Sequence, residues 1–296
     1  QNKNTERLTK LGIKIFIGHH QKNLKNATMV VISSAVKKNN KELMIARVKK
    51  LPVFKRGEML ANIVALKKNI VIAGSHGKTT TTSLVANILL EAGLDPTVIN
   101  GGVINSLKNN AQLGKGEWAV IESDESDGSF LKLPITYSIV TNVDKEHLDF
   151  YGSFERLKKN FCIFIEKTPS FGKSLVCIDD KNLKSLLSKC RTNNFLTYGF
   201  HRGANYQITN LKRKINYSIF DLRIKFTKDE VFKIKNIKVN LIGDHNISNA
   251  TASIAIALNL GIQISKIKKA LKKFLGIQRR FTKVFSFEKR EFYDDR

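Results

Sequence analysis

The sequence predicts an α/β protein with a mostly parallel sheet, and three observations carry that prediction. Short β-branched runs recur along the 296 residues, each closed by glycine or a polar residue. Stretches with helical spacing separate them. One run, NIVIA at residues 69–73, leads straight into a glycine loop that opens a helix. Strands alternating with helices in this way make a parallel sheet covered by helices.

Taken in order, residues 13–18 (IKIFIG) and 29–33 (MVVIS) read as buried strands. Residues 42–50 carry helical spacing, 52–54 form a further short strand, and 58–67 return to helix. The strand at 69–73 is followed by a helix over 79–91, with Gly93 as its stop. Strands follow at 118–121 and 138–141, then a helix at 154–165 and a strand at 174–178. From 206 to 241 the pattern changes: NYSIFDLRIKF alternates apolar and polar residues, which predicts a small antiparallel sheet beside the main one. Helices resume at 247–260 and 264–274. The chain opens in a polar stretch that runs at once into a strand and closes at FYDDR, in a strand reaching its functional edge, so both ends read as cut. No repeat or low-complexity linker interrupts it.

Composition narrows the function classes. Hydrophobic residues make up 42%, ordinary for a chain with a substantial core. No apolar run approaches the roughly 20 residues of a spanning helix, and no signal peptide is visible, so no membrane insertion is expected. Cys162, Cys177 and Cys190 form no C-x-x-C pair and read as free thiols in a reducing cytoplasm, not as a disulfide or metal site. The formal charge of +26 favours anionic ligands in general. Its lysines are scattered from Lys3 to Lys289 with no stripe and no aromatic platform, so no nucleic-acid partner is expected. A nucleic-acid-dependent ATPase is the rival that charge and a phosphate loop together suggest.

Four clusters carry chemistry. AGSHGKTTTT at 73–82 departs from the common G-x-x-x-x-G-K-[ST] loop, because Ile72 stands where the first glycine would be. Gly74 and Gly77 still let backbone N–H groups converge on phosphate oxygens at a helix N-terminus. Lys78 reaches the β- and γ-phosphates, and the Thr79 hydroxyl falls where Mg²⁺ would sit. ESDESD at 122–127 gathers four acids at a strand's C-terminal end, the edge of a parallel sheet where ligands bind; the competing reading is a solvated acidic loop. TNVDKEHLD at 141–149 follows another strand and offers His147 among acids, as a metal ligand or a structural histidine. GDHNISNA at 243–250 puts Asn246 and Asn249 three apart on one helical face, able to pair with a base edge. From spacing alone, a helix cap by Asp244 or Asn246 is the better reading.

Together these clusters resemble the ATP-dependent muramyl ligases of bacterial cell-wall synthesis. The likeness runs nearly end to end: VVISSAV at 30–36, LPVFKRGEML at 51–60, the 73–82 loop, ESDESDGSFL at 122–131, VTNVDKEHLDFYGSF at 140–154, GDHNISNA at 243–250 and FLGIQRRF at 274–281. Ser75 stands where threonine is usual and keeps the hydroxyl. The resemblance implies a partial Rossmann-like, UDP-substrate-binding domain over 1–57. It further implies a P-loop mononucleotide-binding central domain over 58–276 and, at 277–296, the start of a C-terminal domain that is otherwise absent. The implied reaction converts the carboxylate of UDP-N-acetylmuramate to an acyl phosphate with ATP and Mg²⁺, and the amine of L-alanine then displaces phosphate. By family match the nucleotide contacts are Gly74, Ser75, His76, Gly77, Lys78, Thr79, Thr80, Asn246, Asn249 and Arg280. Thr79, Glu122 and His147 hold Mg²⁺, and Lys78, Glu122 and His147 form the catalytic set. The likeness thus sets aside the cap reading and makes Asn246 and Asn249 adenine readers. A ligase attaching a recycled tripeptide to the same UDP-sugar, or a chain that binds ATP without ligating, are the alternatives. Sister ligases carry a carbamylated lysine; Lys158 and Lys159 are expected to be solvated helix positions instead.

Overall fold

The computed structural model describes residues 3–105, 107, 109–225, 230–274, 276, 282–287 and 290–294. The chain divides into two compact units, Gln1–Ile63 and Val64–Arg296. The first contains α1 (Lys3–Lys10), β1 (Val30–Ile32), α2 (Lys41–Val48), β2 (Val53–Lys55) and the start of α3 (Arg56–Val64). β1 and β2 pair in parallel, Val30 opposite Val53. Asn40 begins α2 by accepting from the N–H groups of Glu42 and Leu43, and the helix buries Leu43 and Ala46.

Residues 13–18, expected as a buried strand, are not one. Ile13, Phe16 and Ile17 stand 47%, 56% and 82% exposed. A β-branched run becomes a strand only when a neighbour completes its ladder. Among the described residues of this unit, only β1 and β2 pair.

The second unit is built on one ten-stranded sheet with helices on it, together with a separate two-stranded pair. In chain order it holds β3 (Lys68–Ala73), α4 (Lys78–Glu91), β4 (Thr97–Ile104), β5 (Asn109–Gln112), β6 (Trp118–Glu122), β7 (Tyr137–Val140), α5 (Leu148–Tyr151) and α6 (Phe154–Glu166). Then come β8 (Ser174–Cys177), α7 (Lys181–Leu187), β9 (Phe195–Gly199), β10 (Tyr206–Arg213), β11 (Ser218–Lys225), β12 (Val231–Val239), α8 (Asp244–Asn259) and α9 (Ile264–Lys273). β13 (Thr282–Phe287) and β14 (Arg290–Asp294) close the chain as an antiparallel pair.

The ten-stranded sheet runs β12-β11-β10-β9-β8-β7-β3-β6-β4-β5. From β10 to β4 every pairing is parallel, while β10–β11–β12 and β4–β5 are antiparallel. The expected antiparallel ribbon is therefore present, and it is hydrogen-bonded onto the parallel strands through β9. Its alternating sequence is matched by strict alternation of buried and half-buried residues along β11.

β3 lies between β7 and β6 and is covered on both faces, which is why it reads as an unbroken apolar run. Ile70, Val71, Ile72 and Ala73 have no exposed surface. α4 buries Thr81 to Leu89 apart from Asn87, whose amide donates to the Ala270 carbonyl on α9 at 2.9 Å. α8 packs against α4 through small residues, with Ala250, Ala252, Thr251 and Ser253 fully buried. Strands β4, β5, β9 and β13 and helices α1, α5 and α7 lie outside the elements read from sequence. None of the helices among the described residues is long and apolar enough to cross a membrane.

Two cysteines depart from expectation. Cys162 on α6 and Cys190, just past α7, are disulfide-bonded, and only Cys177 is a free thiol. α6 and α7 pack against each other and bring the two Cα atoms within 5.5 Å, inside the range a disulfide spans. Nothing in the 28-residue separation along the chain signals that approach.

The loop after β6 is tied down by an aromatic trio. Phe130, in a 3₁₀ turn at Ser129–Lys132, is fully buried, 5.4 Å from the Phe161 ring and 5.2 Å from that of Phe164 on α6. Phe130→Ala is expected to lower unfolding stability by about 3–5 kcal/mol, read from the midpoint of urea denaturation. A loss below about 1 kcal/mol would mean that this loop is not anchored through Phe130.

Candidate active site

Sheet order decides what meets at the site. β7, β3 and β6 are neighbours and all parallel. The segments leaving their C-terminal ends, 141–147, 74–77 and 122–127, therefore emerge side by side at one edge, where parallel sheets bind ligands.

The glycine loop is strapped to the segment after β7. The Ser75 N–H donates to the Asn142 carbonyl at 3.1 Å. Asn142 Oδ1 accepts from the His76 N–H at 2.7 Å, and its Nδ2 donates to the His76 carbonyl at 3.0 Å. Thr141 Oγ1 donates to that same carbonyl at 2.6 Å, and Ser75 Oγ accepts from the Asp144 N–H at 2.8 Å. Only glycine fits at two loop positions. At Gly74 (φ +139) a Cβ would lie 2.1 Å from Thr141 Oγ1; at Gly77 (φ +82) it would lie 2.9 Å from Asn249 Oδ1. Gly77 is also the N-cap of α4 and makes no side-chain cap, which leaves the first helical N–H groups for an anion. The His76 ring is exposed and stands 3.2 Å from Asp144 and 3.6 Å from Glu146.

Lys78 is turned back into the protein. Its Nζ donates to Gly74 O at 2.5 Å, Ser75 O at 3.1 Å and Glu125 Oε1 at 2.7 Å. The Glu125 side chain is only 4% exposed, and its second oxygen is buried with no hydrogen-bond partner. Burial pushes the Glu125 carboxyl above its usual range, and the Lys78 charge and hydrogen bond pull it partly back. The Tyr151 hydroxyl donates to the Glu125 backbone carbonyl. His147 Nε2 lies 3.7 Å from Glu125 Oε1. His147 itself takes the left-handed conformation (φ +56) at the start of α5, a position uncommon for a residue with a Cβ.

The third group surrounds Glu122. Thr79 Oγ1 donates to Glu122 Oε1 at 3.0 Å, and the Gly101 N–H donates to Glu122 Oε2 at 2.6 Å. Gly101 lies within β4, where a Cβ would sit 2.8 Å from Glu122 Oε1 and displace that carboxylate. These residues fit a Mg²⁺ ion. A threonine hydroxyl and a carboxylate are the oxygen donors that Mg²⁺ takes, and two oxygens on adjacent positions of an octahedral ion at ~2.1 Å stand about 3.0 Å apart, as the Thr79–Glu122 pair does at 3.0 Å. Glu125, Glu146 and His147 also present ligand atoms within 4.8 Å of one another.

The remaining candidates are less converged. Asn249 is buried against Gly77 under the loop, while Asn246 is half-buried and donates to the Ile242 carbonyl at 2.8 Å. Neither Asp244 nor Asn246 caps α8: the N-cap is Gly243, without a side-chain cap, and Asp244 instead takes a bidentate Arg213 at 2.6 and 2.8 Å. Thr80 lies in the first turn of α4. Arg280 falls outside the described residues. Lys158 is not solvated as expected: its side chain is 18% exposed, it pairs with Glu155 at 2.5 Å, and its ammonium lies 4.9 Å from the Phe154 ring centre. Lys159 is exposed. Sequence reasoning singled out neither Glu125, one acid among four, nor Gly101 and Asn142. The adjacent glycines of NGG inside a strand were the available signal for Gly101.

Comparison with known proteins identifies the family. The Mur ligase middle domain matches residues 72–257, and the Mur ligase family catalytic domain matches 1–68. A UDP-N-acetylmuramate–L-alanine ligase from Pelagibacter ubique is 57% identical over 294 residues, covering 99% of this chain and 63% of that protein. The ligase of the same name from Parvibaculum lavamentivorans is 47% identical, over 99% of this chain and 60% of its own length. The chain thus spans about three fifths of the length of these relatives. The crystal structure of the UDP-N-acetylmuramate–alanine ligase from Thermotoga maritima superposes with a TM-score of 0.85 at 28% identity, covering 100% of this chain and 66% of that one. With its phosphate loop, acidic strand end and histidine segment gathered on one sheet edge, the chain belongs to the Mur ligase family.

Proposed function

We propose that this chain is the nucleotide-binding part of an ATP-dependent carboxylate–amine ligase that adds L-alanine to UDP-N-acetylmuramate in the cytoplasm, in peptidoglycan synthesis. The observation that carries the reading is the convergence of Lys78, Thr79, Glu122 and His147 on one sheet edge, in a chain 57% identical to a ligase of that name. Residues 1–57 would receive the UDP part of the acceptor, residues 58–276 the ATP, and residues 277–296 would begin the domain for the incoming amine.

A carboxylate and a triphosphate repel, so the protein's task is to neutralise charge and fix geometry. Backbone N–H groups of residues 77–79, at the N-terminus of α4, would meet phosphate oxygens, and Lys78 supplies the full positive charge. Thr79 and Glu122 would hold Mg²⁺ and His147 would serve a second ion; the metal neutralises phosphate charge when bound. Gly101 keeps the Glu122 carboxylate facing Thr79. Asn246, Asn249 and Arg280 are proposed adenine and phosphate contacts. Phosphoryl transfer to the muramate carboxylate gives an acyl phosphate and ADP, and attack by the amine then expels phosphate.

Three outcomes test this reading. Lys78→Ala is expected to weaken MgATP binding by roughly tenfold or more in isothermal titration, and to lower the melting temperature because the buried Glu125 loses its partner, with circular dichroism at the titration temperature confirming that the variant is folded. Unaltered affinity would remove Lys78 from the site. Gly101→Ala is expected to raise the Mg²⁺ concentration needed for half-maximal nucleotide binding several-fold while leaving Mg²⁺-free ADP binding unchanged. Equal effects with and without Mg²⁺ would count against Glu122 as a ligand. The full reading frame, given UDP-N-acetylmuramate and MgATP, is expected to release ADP with L-alanine and not with the tripeptide L-Ala-γ-D-Glu-meso-diaminopimelate. The reverse preference would make it the recycling ligase.

A further inference from the structure

The environment of Lys78 contains one partner that a phosphate-binding lysine does not require. An ammonium has three donors, and here all three are spent within the protein, on Gly74 O, Ser75 O and Glu125 Oε1. No N–H is left for a phosphate oxygen. The first two acceptors belong to the loop's own backbone and travel with it. Glu125 is different, since it comes from the segment after β6, is nine-tenths buried, and carries the only negative charge within hydrogen-bonding distance of Nζ among the described residues. Its main chain is held by the Tyr151 hydroxyl, which sits at the end of α5, the short helix that His147 begins.

We propose that Glu125 is a positioning residue that occupies the phosphate's place on Lys78 until nucleotide arrives, so that binding proceeds by exchange of one anion for another on the same ammonium. This rests on the nucleotide-binding reading above. The carboxylate aligns Lys78 with the loop in the empty site and compensates a charge that would otherwise stand alone in a partly buried pocket. When a β- or γ-phosphate takes over the Lys78 donor, Glu125 is released. Its Oε1 already lies 3.7 Å from His147 Nε2, and its Oε2 has an unfilled hydrogen-bonding capacity. The freed carboxylate therefore has a second partner within a small side-chain rotation. Occupancy by phosphate at Lys78 would then be reported to His147, the group proposed to serve a second ion.

Exchange has a consequence that a purely structural salt bridge lacks: the internal anion competes with the external one. Glu125→Gln keeps the shape and removes the competitor, so ADP and ATP are expected to bind roughly tenfold more tightly than to the unsubstituted chain. AMP has no phosphate that reaches Lys78, and its affinity is expected to stay the same. Titration calorimetry with all three nucleotides reads this, with circular dichroism confirming that the variant is folded. Unchanged or weaker ADP binding by the folded variant overturns the proposal, as does an equal gain for AMP, which would mean a remodelled loop. A measurement on the unsubstituted chain is independent of any folding defect. A carbodiimide is expected to couple the Lys78 amine to the Glu125 carboxylate in the empty protein, detected as a cross-linked peptide by mass spectrometry. Saturating ADP should suppress the cross-link and AMP should not. Absence of the cross-link without nucleotide, or its persistence with ADP bound, refutes the exchange and leaves the nucleotide-binding reading intact. Failure of the chain to bind any of the three nucleotides refutes both.

Discussion

The Lys78–Glu125 pair is the interaction on which the architecture of this site turns. A lysine at the mouth of a phosphate loop must be available to an anion yet cannot be left bare in a partly dry pocket. Removing one member of a buried pair typically costs about 3–5 kcal/mol, because the other charge is left uncompensated. The fold meets both demands by placing a carboxylate from the segment after β6, the strand beside β3, 2.7 Å from the ammonium. This is possible only because β6 is the immediate neighbour of β3, so the two loops leave the sheet together.

The other neighbour of β3 does a different job. The residues after β7 contribute no charge to Lys78; they grip the loop through backbone and short side chains, with Thr141, Asn142 and Asp144 bonded to Ser75 and His76. Gly74 permits this approach, since any side chain there would overlap Thr141. One flank thus supplies electrostatics and the other supplies rigidity. A loop whose N–H groups must point at phosphate without reorganising gains from being held in this way before the ligand binds.

Packing behind the loop ties local chemistry to the wider fold. α4 carries the loop's threonines into a fully buried interface with α8, where alanine, serine and threonine allow the helices to come close. Asn249 reaches from α8 to Gly77, so the helix that the family likeness assigns to adenine is also the helix that supports the phosphate loop. The trio of Phe130, Phe161 and Phe164 anchors the acidic segment to α6. The acids near Lys78 therefore sit on a braced loop and not on a solvated one.

Much of this was legible in the chain. The apolar run before a glycine loop located β3 and α4, alternation along 218–225 marked the antiparallel strands, and motif order pointed to the family. These are one-dimensional signals, since period and spacing are properties of neighbours in sequence. What the sequence did not determine was which groups meet. Residues 13–18 have strand composition and no strand partner. Cys162 and Cys190 are 28 residues apart and bonded. Among the acids of 122–127, nothing in composition separates Glu125 from Asp124 or Asp127, yet it alone pairs with Lys78 among the described residues. That choice was made by strand order and by the rotation of one loop against the sheet edge, which bring residues distant in sequence to within hydrogen-bonding reach.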